Sequence, residues 1–345
     1  LNLNGATASI GTLTNGTVNL GAATALSVND GTFGGLLTGA TGSLLKATGG
    51  TLTITGANTF GGGTTVNAGT LTIGNVAALG TGTITVGTGA TLNLAGLGVS
   101  NAITVQGTGL VTGGPDVAST PTTGDATVTT VLTGTGGLEK TDGGALTLST
   151  PNFFTGAVEA NVAGAVIKAA FLDDASSSLG ASTLTDPANL VLGSGATLEF
   201  TGASSAVTSR SFTIGGSAGI SATGTGTLEF TSASQIATTG AAPALTLTAN
   251  NSGTNRFAAS LADGSTALAG LAINGTGVWV IGTGANRFKN DVRIDAGNGV
   301  TIGLEQGSLP SGATLAVGNN ATLRWETGNT TPVNLEVAAG ATAKL

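Results

Sequence analysis

In Thr51-Leu52-Thr53-Ile54-Thr55 every second side chain is apolar, and the alternation returns in Leu71-Thr72-Ile73, Thr83-Ile84-Thr85-Val86 and Thr91-Leu92-Asn93-Leu94. Period two marks a strand with one face buried and the other in water. Each run is short, and clusters of Gly, Asn and Thr-Gly follow within a few residues. Many short strands punctuated in this way read as an all-β chain. Helices have little support, because Gly and Thr are both poor helix formers. Residues 157–187 break the pattern: an Ala-rich start, Asp173-Asp174 and the serines 176–178 read as an irregular loop or short helix insertion.

Composition narrows the chemistry. Glycine supplies 60 of 345 residues, charged residues make up 8% and aromatics 3%, while apolar residues reach 40%. Charge in an ordinary soluble domain is about 25%. Disorder is excluded, since disordered chains pair low hydrophobicity with high charge. A collagen helix is excluded by seven prolines and no glycine triplet. With no Cys and no His, there is no zinc finger, no disulfide and no Ser-His-Asp triad. The most apolar stretch, residues 157–171, is cut by Glu159, Asn161 and Lys168, and is shorter than the ~20 residues of a membrane helix. No membrane span is expected in this chain. The formal charge is −7, from 17 acids and 10 bases, and the densest bases, Arg287, Lys289 and Arg293, alternate with Asp291 and Asp295. Alternation of that kind makes a self-paired, solvated face rather than a phosphate-binding one, so no nucleic-acid partner is expected.

Internal similarity separates a solenoid from a sandwich or barrel. From Gly50 the chain reads GTLTITGANTFGGGTTVNAGTLTIGN, from Gly144 GALTLSTPNFFTGAVEANVAGAVIKA, and from Gly277 GVWVIGTGANRFKNDVRIDAGNGVTIG. Each block has an alternating strand, an Asn-x-Phe triplet (Asn58/Phe60, Asn152/Phe154, Asn286/Phe288), a second strand and a small-residue turn into a third. GATLNL, GATLEF and GATLAV follow downstream, opening at Gly89, Gly195 and Gly312. Lysine-bearing strands precede the first two blocks (LLTGATGSLLKATGG and LTGTGGLEKTDGG) but not the third.

These residues resemble the autotransporter-associated β-strand repeat of bacterial type V secretion passengers, closely over residues 36–94, fairly over 131–200 and loosely over 271–325. The resemblance implies a right-handed parallel β-helix displayed outside the cell and carried by an outer-membrane barrel. That barrel is expected outside this segment, because the stretch from Glu336 to Leu345 reads as another solenoid strand. Physical reasoning leads to the same solenoid. Three short strands per coil need a sharp turn every few residues, where glycine adopts positive φ without steric cost. A narrow coil admits Leu, Ile, Val and Ala with few aromatics, and 345 residues would wind at roughly 20–25 per coil. Residues 1–345 are therefore read as a single β-helical domain, a segment of a longer passenger.

Candidate chemistry is sparse. Asn-x-Phe reads as structural: Asn bonds the backbone of a tight turn or stacks on asparagines of nearby coils, while Phe plugs the core. Glycoside hydrolysis needs two carboxylates facing each other across a cleft. Asp173/Asp174 are sequence neighbours, and Glu199 and Glu229 sit at matching positions of two TLEF strands with Leu and Phe pointing inward. Gly80/Gly82, Gly87/Gly89 and Gly107/Gly109 never extend to GxGxxG, and no P-loop is present. Trp279, Trp325 and ten phenylalanines read as core or cap residues, and Asn15, Asn274 and Asn320 match only a glycosylation triplet. Thr-x-Thr runs at Thr51/Thr53/Thr55, Thr81/Thr83/Thr85, Thr223/Thr225/Thr227 and Thr246/Thr248 would resemble an ice-binding face if stacked flat; otherwise threonine is simply a good exposed strand residue.

No catalytic, cofactor-binding or metal-ligating residue is assigned, and no cofactor is expected. The sequence reads as a non-enzymatic structural or adhesive passenger segment at the cell surface or secreted. Its partners would be host or abiotic surfaces, or other copies of itself through lateral or end-to-end contact. The alternatives are a polysaccharide-active β-helix enzyme and a threonine-ladder ice-binding module.

Overall fold

The computed structural model describes residues 3–337 apart from 4–7, 13, 23–24, 96, 98, 100, 106–109, 113–125, 129–130, 135–136, 141–142, 284–287, 297–298, 319 and 327–331. The fold is an all-β solenoid of stacked parallel strands, as the alternation predicts. Two compact units are present: Leu1–Val158 with Gly180–Ser182, and Glu159–Leu179 with Thr183–Leu345.

In the first unit each early coil has three faces. Face one holds Thr17–Asn19 against Leu36–Thr38. Face two stacks Ser43–Lys46, Thr64–Val66, Ile84–Val86 and Ile103–Val105, with the start of Ala25–Phe33 at one end. Face three stacks the end of Ala25–Phe33, Thr51–Ile54, Thr70–Ile73 and Thr91–Asn93. Coil length follows from register: Leu52 sits on Leu71 and Leu71 on Leu92, separations of 19 and 21 residues. All three leucines have no solvent exposure, and burying each stabilises the fold by about 1.5–3 kcal/mol relative to leaving it in water. Phe33, Phe60 and Phe154 fill the same interior.

The second unit winds wider coils. One face stacks six parallel strands, Ala206–Thr208, Leu228–Phe230, Thr254–Phe257, Val278–Ile281, Thr301–Leu304 and Thr322–Trp325. Another carries Thr197–Phe200, Phe212–Ala222, Gln235–Ala249 and Leu268–Gly275, where Leu198, Ile220, Leu247 and Ile273 stack at separations of 22, 27 and 26 residues. The extra residues enter at a corner: register shifts between Gly215 and Ser217, and both Gly216 (φ 86°) and Gly240 (φ 99°) are left-handed. Phe212, Phe230 and Phe257 form an aromatic cluster inside, with ring centroids 5.4–6.4 Å apart. Within residues 157–187 lie the ladder strands Val158–Ala160 and Val166–Ala169, then an antiparallel hairpin of Leu172–Asp173 and Ser176–Ser177. A single 3-10 turn, Pro187–Asn189, follows, with Asp186 capping the Ala188 N–H.

Corner glycines permit the short strands. Gly50, Gly69 and Gly89 precede successive strands of face three with φ of 90°, 69° and 75°. A Cβ on Gly69 would lie 2.4 Å from the Gly50 carbonyl oxygen, whereas one on Gly89 would meet nothing within 4 Å. Both positions carry the left-handed penalty of about 1–2 kcal/mol for an L side chain, and only Gly69 adds backbone overlap. Gly69→Ala is therefore expected to lower the melting temperature clearly more than Gly89→Ala in parallel thermal denaturation.

Candidate functional surfaces

Asn-x-Phe is a clamp between coils. Asn58 is 3% exposed and Phe60 wholly buried. The Asn58 Oδ1 accepts the Leu37 N–H at 2.8 Å, from the coil before, and its Nδ2 donates to the Ala78 carbonyl of the coil after. Asn152 is equally buried and accepts the Leu132 N–H at 2.8 Å. The bonds thus run to neighbouring coils rather than only within the asparagine's own turn. Asn286 lies outside the described residues; its Phe288 is buried. Block comparison misses a fourth triplet, Asn255-Arg256-Phe257, although it repeats the Asn-Arg-Phe of the third block. Asn255 is fully buried, accepts the Leu228 N–H at 2.9 Å and donates to the Val278 carbonyl at 3.1 Å, paired on its flank with Asn251.

The candidate carboxylates are separated and engaged. Glu199 lies 3.6 Å from the Lys168 ammonium and accepts the Thr223 hydroxyl at 2.6 Å. Glu229 stands on a different face and accepts Arg256 Nη1 at 2.9 Å. The same guanidinium makes a bidentate pair with Glu305 at 2.8 and 2.8 Å, and Thr283 N–H donates to Glu305 as well. Those bonds with Glu305 raise the Arg256 pKa, keeping it charged. Arg256 reaches across the intervening coil because Gly282 leaves the path open: a Cβ there would sit 2.6 Å from Arg256 Nη2 and 2.8 Å from Ala258 Cβ.

Asp173 and Asp174 act as strand substitutes. Ala206–Thr208 pairs with Leu228–Phe230 along one edge. On the other edge, the Val207 N–H donates to Asp173 at 3.0 Å and the Ser209 N–H to Asp174 at 2.7 Å. Asp174 also accepts the Thr208 and Ser209 hydroxyls at 2.9 and 2.6 Å. Two carboxylates therefore take donors that a ladder carbonyl would otherwise accept. Neighbouring Arg210 is 1% exposed; burial lowers its pKa to about 10, with Asp174 opposing.

Lys46 and Lys140, on the lysine-bearing strands, have no solvent exposure. The Lys46 ammonium donates to the Thr48, Gly49 and Ala68 carbonyls at the corner of two coils, 3.9 Å from Asp30. Desolvation lowers its pKa, with Asp30 acting against the shift.

Threonine stacks only in places. Thr51 and Thr53 lie on Thr70 and Thr72, and the next coil presents Thr91 and a buried Asn93. Thr85 stacks with Thr65, Thr104 and Thr133 in a single column. Thr246 and Thr248 meet Gly219 and Ser221, and Thr225 and Thr227 bond Ala203 and Ser205 at the corner. Trp279 is buried in the core and Trp325 half-buried. A shallow groove of about 250 Å³ is lined by Gly195, Thr197, Ser217, Gly219, Thr246 and Thr248 among others, with no carboxylate in its wall. Among the described residues no cluster of three acids could hold a metal ion, and no helix is long and apolar enough to cross a membrane. The basic run at Arg287, Lys289 and Arg293 has no described side chain.

Two segments, residues 44–73 and 138–165, match the passenger-associated-transport-repeat family model. Each begins in a lysine-bearing strand and runs into one of the first two repeat blocks. Over 135 residues the chain is 36% identical to the adhesin BmaC autotransporter of Brucella suis biovar 1 (strain 1330), an alignment covering 37% of this chain and 4% of the relative. No solved structure matches the chain.

Two measurements test these assignments. Asn58→Leu leaves the Leu37 N–H and Ala78 carbonyl without their buried partner and is expected to cost about 2–4 kcal/mol in denaturant unfolding. Asn255→Leu should behave alike, and an exposed control, Asn67→Leu, should not. For Lys46, the unfolded chain keeps its proton up to a pKa near 10.5 while the folded chain gives it up earlier. Unfolding free energy should thus be flat in Lys46 protonation at neutral pH and rise as pH climbs towards that value. Lys46→Met should flatten the rise.

Proposed function

We propose that this chain, whose repeats are those of autotransporter passengers, is a rigid, non-catalytic stretch of an exported bacterial passenger, displayed at the cell surface or secreted. It serves as a spacer and contact surface for adhesion. One observation carries the reading: several polar side chains that could do chemistry are engaged in holding coils together. Asn58 and Asn255 clamp neighbouring coils, Asp173 and Asp174 complete a strand edge, and Arg256 ties Glu229 to Glu305. The exposed surface includes strand threonines such as Thr51 and apolar side chains such as Val76 and Phe153, which suit contact. Similarity to an autotransporter adhesin supports the same role.

Display provides the test. Fused ahead of an outer-membrane barrel on a non-adherent bacterium, the chain should be accessible to antibody on intact cells. It should also raise retention on host cells or on plastic above a barrel-only control. Accessible chain with retention equal to the control would leave a spacer and remove the adhesive role. Failure to reach the surface in folded form would overturn both.

A further inference from the structure

A notch interrupts one face of the second unit. Thr197, Gly219 and Thr246 follow one another coil on coil, beside a second column of Glu199, Ser221 and Thr248. With no side chain at Gly219, the two threonines of the first column stand across two strand spacings, ~9.6 Å. This is the groove of about 250 Å³ bounded by Gly195, Thr197, Ser217, Gly219, Thr246 and Thr248. A Cβ at Gly219 would lie 2.7 Å from Thr197 Oγ1 and fill its floor. The hydroxyls of the groove are also set apart. In the surrounding coils Thr213 donates to the Pro187 carbonyl at 2.9 Å, Thr223 to Glu199 at 2.6 Å, Thr227 to Ser205 at 2.9 Å and Thr238 to the Thr266 carbonyl at 2.8 Å. Among the described residues, the hydroxyls of Thr197, Ser217, Thr246 and Thr248 have no such protein partner.

We propose that this groove binds a neutral saccharide, one ring of a polysaccharide chain. Each open hydroxyl can both donate and accept, which is also the hydrogen-bonding character of a sugar hydroxyl. The wall holds no charge, and Glu199, two residues along from Thr197, is already engaged by Lys168 at 3.6 Å and by the Thr223 hydroxyl. A charged ligand would shed its water there without a counter-charge. An extended peptide has no strand edge to join, because the strands of this face are paired on both sides. The volume lies below the ~300 Å³ of the smallest drug-sized pockets and leaves room for a single ring. Four hydroxyls in an open groove give weak binding, with Kd on the order of 1 mM, strengthened where many copies meet one long chain. The inference rests on the contact role proposed above and names the chemistry of what is contacted.

Native electrophoresis of the chain in gels cast with dextran, galactomannan or xyloglucan tests it. At least one of these neutral polysaccharides should retard wild type, and alginate, an anionic one, should not. Thr246→Val/Thr248→Val keeps two β-branched side chains and removes two hydroxyls, so affinity for the retarding polysaccharide should fall about tenfold or more. Thr65→Val/Thr85→Val, on face two of the first unit, should run like wild type. Circular dichroism and melting curves establish that each variant is folded. No retardation by any of the three, retardation by alginate as strong as by any of them, or retardation untouched by the groove valines would overturn the proposal. A chain that raises retention in the display experiment without being retarded in these gels loses the groove and keeps the adhesive role. Retardation without raised retention does the reverse, so the two failures are separable.

Discussion

Strands of three or four residues cannot stand alone, so the fold depends on the hydrogen-bond ladder each makes with the coils on either side. An isolated run such as Thr51–Ile54 buries two side chains, far too little to offset ordering its backbone at about 1–2 kcal/mol per residue. Stacking changes the balance. Leu52 gains Leu71, Leu71 gains Leu92, and interior leucines become neighbours in a continuous column. Stability in such a chain is a sum over adjacent coils, and no single coil is a folding unit.

That dependence explains the use of polar side chains inside. Wherever the backbone leaves the ladder, an orphaned N–H or carbonyl appears in a dry interior, at a cost of about 1–3 kcal/mol each. Asn58 and Asn152 stand between strands and Asn255 within the strand Thr254–Phe257, and each side chain accepts a buried backbone N–H of the coil before it. Asp173 and Asp174 accept N–H groups along the edge of Ala206–Thr208, and Lys46 donates to three corner carbonyls. Three of the chain's ionisable groups, Asp173, Asp174 and Lys46, thus serve defects in the ladder.

Strand alternation, glycine corners and the repeat blocks were legible in the sequence because they are local: period two and positive φ act within a few residues. Asn58/Phe60 and Asn152/Phe154 were legible as buried structure for the same reason. Contacts across coils were not. Arg256 and Glu305 are 49 residues apart, and their meeting depends on the loops that widen the second unit's coils. A coil of 19 residues and one of 27 bring different positions together, and nothing local announces the length. Glu199 and Glu229 looked equivalent in their TLEF strands, yet the fold puts them on separate faces. Asn255/Phe257 was readable from its triplet but hidden by blocks of unequal spacing.

The asparagine clamp has a consequence for how such a repetitive chain finds one structure. Thr-Leu-Thr-Ile strands are nearly interchangeable, and a coil could slip onto the wrong neighbour while still burying leucine on leucine. Asn255 bonds a residue 27 positions before it and another 23 after it, so its amide is satisfied only when both adjacent coils are the correct ones. Each clamp is then a checksum on assembly order, written into a sequence whose strands alone could not tell one coil from the next.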